Sequence, residues 1–253
     1  MSTFLADARQ TVAPSRDARD GLLPPLLVAL TVVTGLVDSF SYLVLGHVFV
    51  ANMTGNVVFF AFALAGVGGF SAPASVAAIG CFAVGALVVG RLGRSLAGSP
   101  GQSPAGQREL LLGVTAGIEA VIVAETVTMA ALTARPIPAG LRYALIVSLS
   151  LAMGAQNATA RKLAVPDLTT TVLTLTITGI AADSPVAGAT GAHAARRLIS
   201  VLAMFLGALA GALLVLRVHI VYPLVIALVI LAAVTVFAVT WARKPRTSRN
   251  PAT

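Results

Sequence analysis

The chain has 253 residues, of which 57% are hydrophobic and only 10% charged, and its mean hydropathy is +0.93. That balance excludes a water-soluble globular domain; at about 20 apolar residues per crossing, the length admits roughly six to eight membrane spans and no second domain. The net charge of +8 does not indicate a nucleic-acid partner, because the Lys and Arg residues stand singly or in pairs at the edges of apolar runs, where the positive-inside rule accounts for them.

In chain order, residues 1–21 are polar and carry both signs of charge, without the basic start and short apolar core of a cleavable signal, and are expected to form a disordered cytoplasmic tail. Spanning helices are predicted at about 22–45, 74–95, 110–133, 139–160, 198–216 and 220–241. Two further apolar stretches, about 57–69 and 172–182, follow polar clusters and are too short to cross as regular helices. Residues 243–253 form a basic tail, so 22–242 make a single transmembrane domain. The fold class expected is an all-α integral membrane protein with about six transmembrane helices plus two short broken or re-entrant helices.

Charge distribution discriminates between six and eight crossings. With six, only Arg135, Arg142 and Arg217 of the 17 Lys and Arg residues lie opposite the termini; with eight, Arg91, Arg94, Arg108, Arg161, Lys162 and Arg217 do. The stronger asymmetry favours six spans with both termini cytoplasmic.

An internal repeat underlies the two short segments. GLVDSFSY followed by VANMTGNVV in the first half has a counterpart in GAQNATAR followed by VPDLTTTVL in the second, pairing Gly35 and Asp38 with Gly154 and Asn157. Asn52, Thr54 and Asn56 pair with Asp167, Thr169 and Thr171, and VGAL at 84–87 resembles LGAL at 206–209. Three crossings precede the second copy, so the repeats, about 22–133 and 139–241, are expected to be inverted, an architecture typical of secondary transporters.

The runs GLVDSFSYLVLGHVFVANMTGNVVFF and MGAQNATARKLAVPDLTTTVLTLTITGIAAD resemble the YoaK-like family of bacterial membrane proteins, a domain of unknown function. The resemblance extends from about Leu22 to Ala242 and is most specific at ANMTGN (51–56), GAQNA (154–158) and PDLTTT (166–171). It implies a small multi-spanning inner-membrane protein and brings no substrate or functional residue, so the chemistry must come from the side chains.

Thr54 or Thr169 is placed to cap a helix that starts within the membrane, where unpaired N–H groups need a partner. On that reading Asn52, Thr54, Gly55, Asn56, Gln156, Asn157, Asp167, Thr169, Thr170 and Thr171 bind a polar solute; the alternative is an ordinary polar turn at each surface. Asp38 shares one face with Gly35 and Tyr42 well inside a span, where a carboxylate is costly and is a functional candidate, or a structural acceptor for Asn157 or nearby backbone. Glu119 and Glu125 lie six residues apart, about 120° from facing each other around a helix; either carries a proton or pairs with Arg142. Gln156 and Asn157 equally suit plain interhelical hydrogen bonds.

Gly207 with Gly211, and Ala86 with Gly90, form small faces suited to close packing, and Tyr222 and Trp241 suit interfacial anchoring. His47, His193 and His219 show no ligand spacing, and Cys81 is a lone thiol in an apolar run, so no metal or cofactor is expected. N-x-[ST] matches at Asn52 and Asn157 lie in or beside membrane segments. No P-loop, GxSxG, HExxH or CxxC motif is present. The reading favoured is a small secondary transporter or permease for a small polar or anionic solute with Asp38, Glu119 and Glu125 as proton-coupling residues. The alternatives are an intramembrane carboxylate enzyme acting on lipid and a non-catalytic accessory subunit. The partners expected are the bilayer and the solute, with homo-oligomerisation left open.

Overall fold

The computed structural model of the protein describes residues 2–14, 20–96, 104–133, 136–166, 168, 173–184, 187–188 and 193–243. Among them the chain forms nine helices and no strand: α1 (Ser2–Val12), α2 (Leu23–Val44), α3 (Met53–Leu64), α4 (Ala72–Leu96), α5 (Pro104–Leu132), α6 (Ala139–Leu163), α7 (Leu173–Ala182), α8 (Ala194–Arg217) and α9 (Tyr222–Ala242). Five of these, α2, α4, α5, α8 and α9, are long and apolar enough to cross a bilayer. At 25 residues α6 has the length to cross as well, but it is less apolar because Ser150, Gln156 and Thr159 face the protein interior rather than lipid.

Prolines in the first turns of α2 and α9 preset the helical φ where no intrahelical N–H bond is lost. Beyond α2, Gly46 (φ +93°) and His47 (φ +58°) turn the chain back on itself. The returning strand of backbone then reaches Asp38, which lies about 9 Å before the end of α2 at 1.5 Å per residue. The 12 residues of α3 span about 18 Å, less than a full crossing, and beyond them the chain comes back to the end of α2, where His47 Nδ1 lies 3.1 Å from the Gly69 carbonyl, so the segment between α2 and α4 begins and ends at one end of the bundle. The helix begins at Met53, four residues before the apolar run at 57, because Thr54, Gly55 and Asn56 form its first turn; Thr54 is exposed there and is not the cap.

Packing follows one pattern twice. Helix α2 lies mainly against α8 and then α9, while α6 lies mainly against α4 and then α5. The short helices α3 and α7 rest on α4 and α8, and α5 runs along α9. Exchanging α2–α5 with α6–α9 leaves this pattern unchanged. Glycines set the two closest crossings: a Cβ on Gly35 would lie 2.6 Å from the Ala208 nitrogen and the Met204 oxygen, and one on Gly207 would overlap the Val32 carbonyl. In the equivalent pair, a Cβ on Gly85 would overlap the Leu151 carbonyl and one on Gly154 the Phe82 carbonyl. Gly211 also lies against Ser39, whereas Gly90 faces open space, so Gly85 rather than Ala86 with Gly90 makes the close approach on α4. In a bilayer, where burial of apolar surface between helices gains little, such backbone proximity supplies dispersion and the Ser39 to Ala208 carbonyl hydrogen bond of 2.8 Å.

The N-terminal segment is not a featureless tail. Helix α1 docks on α8, with Thr11 fully buried and the Asp7 carboxylate accepting from the Arg196 N–H at 3.1 Å in the first turn of α8. Asp7 thus serves as an N-cap supplied from another helix and faces His193 at 3.7 Å. Buried Arg196 returns the contact, its Nε donating to Thr11 Oγ1 at 3.4 Å and its guanidinium to the Pro166 carbonyl at 3.4 Å.

Candidate functional site

Two groups of buried polar side chains lie within the bundle, and α2 contributes to both. The first centres on Asp38, 3% exposed. Its Oδ1 accepts from the Val50 N–H at 3.1 Å and the Ala51 N–H at 2.9 Å, and the Asn52 N–H also faces the carboxylate. These are donors just ahead of α3, so a side chain on α2 satisfies the backbone at the re-entrant turn. The second oxygen, Oδ2, is buried without a hydrogen bond.

Asn56 fastens the same turn from the other side. Its Oδ1 accepts from the Phe49 N–H at 2.9 Å and its Nδ2 donates to the Phe49 carbonyl at 2.6 Å. Gly55 leaves room for the Phe49 ring, whose Cδ2 would stand 2.8 Å from a Cβ there. Stacking of Phe49 on Tyr42 and Phe59, and of Phe59 on Phe70, ties the turn to α2 and to the start of α4. Most of the polar capacity of ANMTGN is therefore spent within the turn: Asn56 is a staple and Gly55 a packing site. Asn52 is half-buried and makes no side-chain cap, and Thr54 points outward.

The second group joins α2, α5 and α6. Gln156 and Glu119 are each 1% exposed, and Thr34 is fully buried. With the Gln156 amide nitrogen towards Glu119, it donates to the two carboxylate oxygens at 3.0 and 3.2 Å while Gln156 Oε1 accepts from Thr34 Oγ1 at 2.8 Å. Reversed, Nε2 donates to Thr34 Oγ1 at 2.8 Å, and Thr34 in turn donates to the Leu30 carbonyl at 3.0 Å. Only the first orientation gives the amide, both carboxylate oxygens and Thr34 complementary partners. An ionised Glu119 only accepts and needs the amide N–H, whereas a neutral Glu119 can donate to the amide oxygen. A neutral Glu119 also keeps a carbonyl oxygen that accepts the same N–H, so the amide nitrogen facing the acid suits either state. One turn away, Thr159 Oγ1 donates to Thr115 Oγ1 at 3.0 Å and continues the polar seam between α5 and α6.

Of the residues singled out from the sequence, Glu119 and Gln156 come together, and Asp38 joins the backbone that leads to Asn52. Asn157 is half-buried and donates to the Met153 carbonyl at 3.0 Å. Glu125 is exposed on α5, and no ion pair joins it to Arg142 among the described residues. Asp167, Thr169, Thr170 and Thr171 lie outside the described residues. Thr34, Thr115 and Thr159 went unselected, although each stands three or four residues from a selected acid or amide and so on its helical face.

A helical bundle with several membrane-length apolar helices and carboxylates buried between them defines a multi-pass integral membrane protein. The chain belongs to the family described as Protein of unknown function (DUF1275), whose model matches residues 26–237. It is similar to the UPF0700 transmembrane protein YoaK of Bacillus subtilis (strain 168), with 31% identity over 162 residues. The match covers 62% of this chain and 65% of that protein, a little under two thirds of its length. No solved structure matches.

Proposed function

We propose that the protein is a small secondary transporter built from two inverted repeats, moving a small polar or anionic solute across the cell's inner membrane with the proton as coupling ion. The observation that carries this reading is the exchange pattern of the packing, in which the first helix of each half lies within the other half. Inverted repeats of this kind give two related arrangements of one chain, one open to each side, as alternating access requires. Both termini are cytoplasmic, which places the re-entrant turn held by Asp38 on the outer side and α7 on the inner side.

Asp38 and Glu119 take the coupling role, and the chemistry of each gives a reason. Asp38 holds the turn before α3 through one oxygen and keeps the other unpartnered, so a proton or a solute N–H arriving at Oδ2 weakens its hold on Val50 and Ala51. Glu119 transmits its charge state through Gln156 to α2. The solute-binding residues of this reading are Asn52, Gln156 and Asn157, together with Asp167, Thr169, Thr170 and Thr171, which lie outside the described residues. Glu125, on the outer face, has no place in the coupling.

The deciding experiment is flux into proteoliposomes of a panel of small anions and polar solutes under an imposed pH gradient, with the parent beside Asp38→Asn and Glu119→Gln. Gradient-driven flux of at least one solute, lost in either variant, is the expected result. Absence of flux across the panel, or equal flux in parent and both variants, refutes the proposal.

A further inference from the structure

Helices α4 and α6 run in the same direction and bring cations to one end of the bundle. Their contacts fix the register: Gly154 lies against Phe82, Gly85 against Leu151, and Lys162 against Gly93. Lys162 Nζ donates to the Gly90 carbonyl at 3.2 Å, while a Cβ on Gly90 would meet nothing within 4 Å. An open notch therefore lies beside the Lys162 ammonium, whose remaining N–H groups can donate into it. Arg94 stands one turn beyond Gly90 on the same flank of α4, with Arg91 beside it, and both are exposed. Among the described residues no carboxylate pairs with Arg91, Arg94 or Lys162. Arg108, at the same end, is already met by Asp20 at 3.4 Å and by the Leu163 carbonyl.

The same face of α4 is apolar on its way to the cations. Val84 (49% exposed) and Leu87 (59%) precede Arg91 and Arg94 at steps of three, four and three residues, one continuous stripe along the helix. This helix is long and apolar enough to cross a bilayer, and the two arginines stand in its last turns.

We propose that the notch at Gly90 binds the headgroup of an anionic phospholipid, whose phosphate oxygens accept from Lys162, Arg91 and Arg94 while an acyl chain lies along Leu87 and Val84. Two features select this occupant in combination. Cations without a carboxylate partner call for an anion, and the apolar stripe continuous with them calls for a molecule that joins that anion to a hydrocarbon chain. Water and a soluble anion meet only the first requirement. The planar arginine fork grips two phosphate oxygens at once, and the ammonium adds a point charge beside it. The inference stands apart from the transport reading, since α4 and α6 present this notch whatever the interior does.

The test is native mass spectrometry of the full-length protein in detergent, titrated with phosphatidylglycerol or phosphatidylcholine. The parent is expected to retain phosphatidylglycerol at concentrations where phosphatidylcholine is not retained. Arg94→Gln combined with Lys162→Gln is expected to weaken that binding by about tenfold or more, the scale for two cations at a charged lipid surface. Arg91→Gln combined with Arg94→Gln reads the same loss on exposed residues alone, without touching the contact between the helices. Arg217→Gln combined with Arg243→Gln removes equal charge from exposed positions at the ends of α8 and α9 and is expected to bind as the parent does. Equal retention of the two lipids, or equal loss in this control pair, overturns the proposal. So does displacement of the lipid by equimolar glycerol phosphate, which assigns the notch to a soluble anion.

Discussion

Replacing Asp38 tests how the re-entrant turn is held. In Asp38→Ala the Val50 and Ala51 N–H groups lose their acceptor, and these residues are only 0% and 2% exposed, so water does not replace it readily. A buried donor left unpaired costs about 1–3 kcal/mol, so the pair is worth about 2–6 kcal/mol to the folded state. Asp38→Asn differs in kind: its carbonyl oxygen takes the place of Oδ1, and its amide nitrogen occupies the site of Oδ2, where no donor has to be displaced. The loss is then the difference between charged and neutral hydrogen bonds, about 1–3 kcal/mol for two.

Two measurements read these numbers. Thermal unfolding of the full chain in detergent, followed by reaction of Cys81 with a fluorogenic maleimide, ranks parent, Asn and Ala in falling order. In a Cys81→Ser background, Val50→Cys is expected to react slowly with an impermeant maleimide in the parent and faster once Asp38→Ala frees the turn. If Asp38→Ala matches the parent in both assays, the carboxylate does not hold this backbone and the re-entrant geometry built on it fails.

Glycine contacts give a contrast within one helix. Gly85→Leu collides with the Leu151 carbonyl and is expected to abolish folded protein in size-exclusion chromatography, whereas Gly90→Leu meets open space and is expected to leave the elution profile unchanged. At the N-terminus, Asp7→Ala removes the acceptor for the Arg196 N–H and the partner of His193. Loss of an N-cap costs about 0.5–2 kcal/mol, enough for limited proteolysis to cut within α1 sooner than in the parent, and an unaltered digestion rate counts against the docked α1.

How much of this was legible depends on the distance over which each feature is decided. The long apolar runs predict α2, α4, α5, α8 and α9 because lipid imposes length and composition locally. Helix α1 was not legible: its order comes from Asp7 and Thr11 meeting Arg196, far along the chain, and nothing in the first 21 residues reports that partner. The start of α3 was misplaced because Thr54 and Gly55, weak helix formers, are tolerated in a first turn that Asp38 and Asn56 fasten from outside. Glu119 and Glu125 illustrate what spacing does decide: six residues on a helix turn them apart, and one is buried while the other faces out. The threonines of the polar seam were hidden because a threonine that bonds the carbonyl four residues back is ordinary in any helix. Only the fold shows that the same oxygens also meet Gln156 and one another.

The interweaving of the halves changes which parts can move as units. Helix α2 is locked to α8 by Gly35, Gly207 and Gly211, and α6 to α4 by Gly85 and Gly154, so backbone contact ties each pair more firmly than the order of the chain does. One unit is then α2 with α8 and α9, the other α6 with α4 and α5, joined along α5 and α9. Where α2 passes α6 the contact is sparse by comparison, and it is there that Gln156 reaches Thr34 while Glu119 stands behind Gln156 in the second unit. Under the proposed cycle α5 and α9 act as the pivot, the α2–α6 seam opens, and the acid that gates it lies on one side with the hydroxyl it controls on the other. A proton at Glu119 acts directly on its bond to Gln156 within the second unit, and Gln156 carries the change to its contact with Thr34 across the seam. That is the condition for a local charge to bias a global equilibrium, because only an interaction that differs between two states can shift the balance between them.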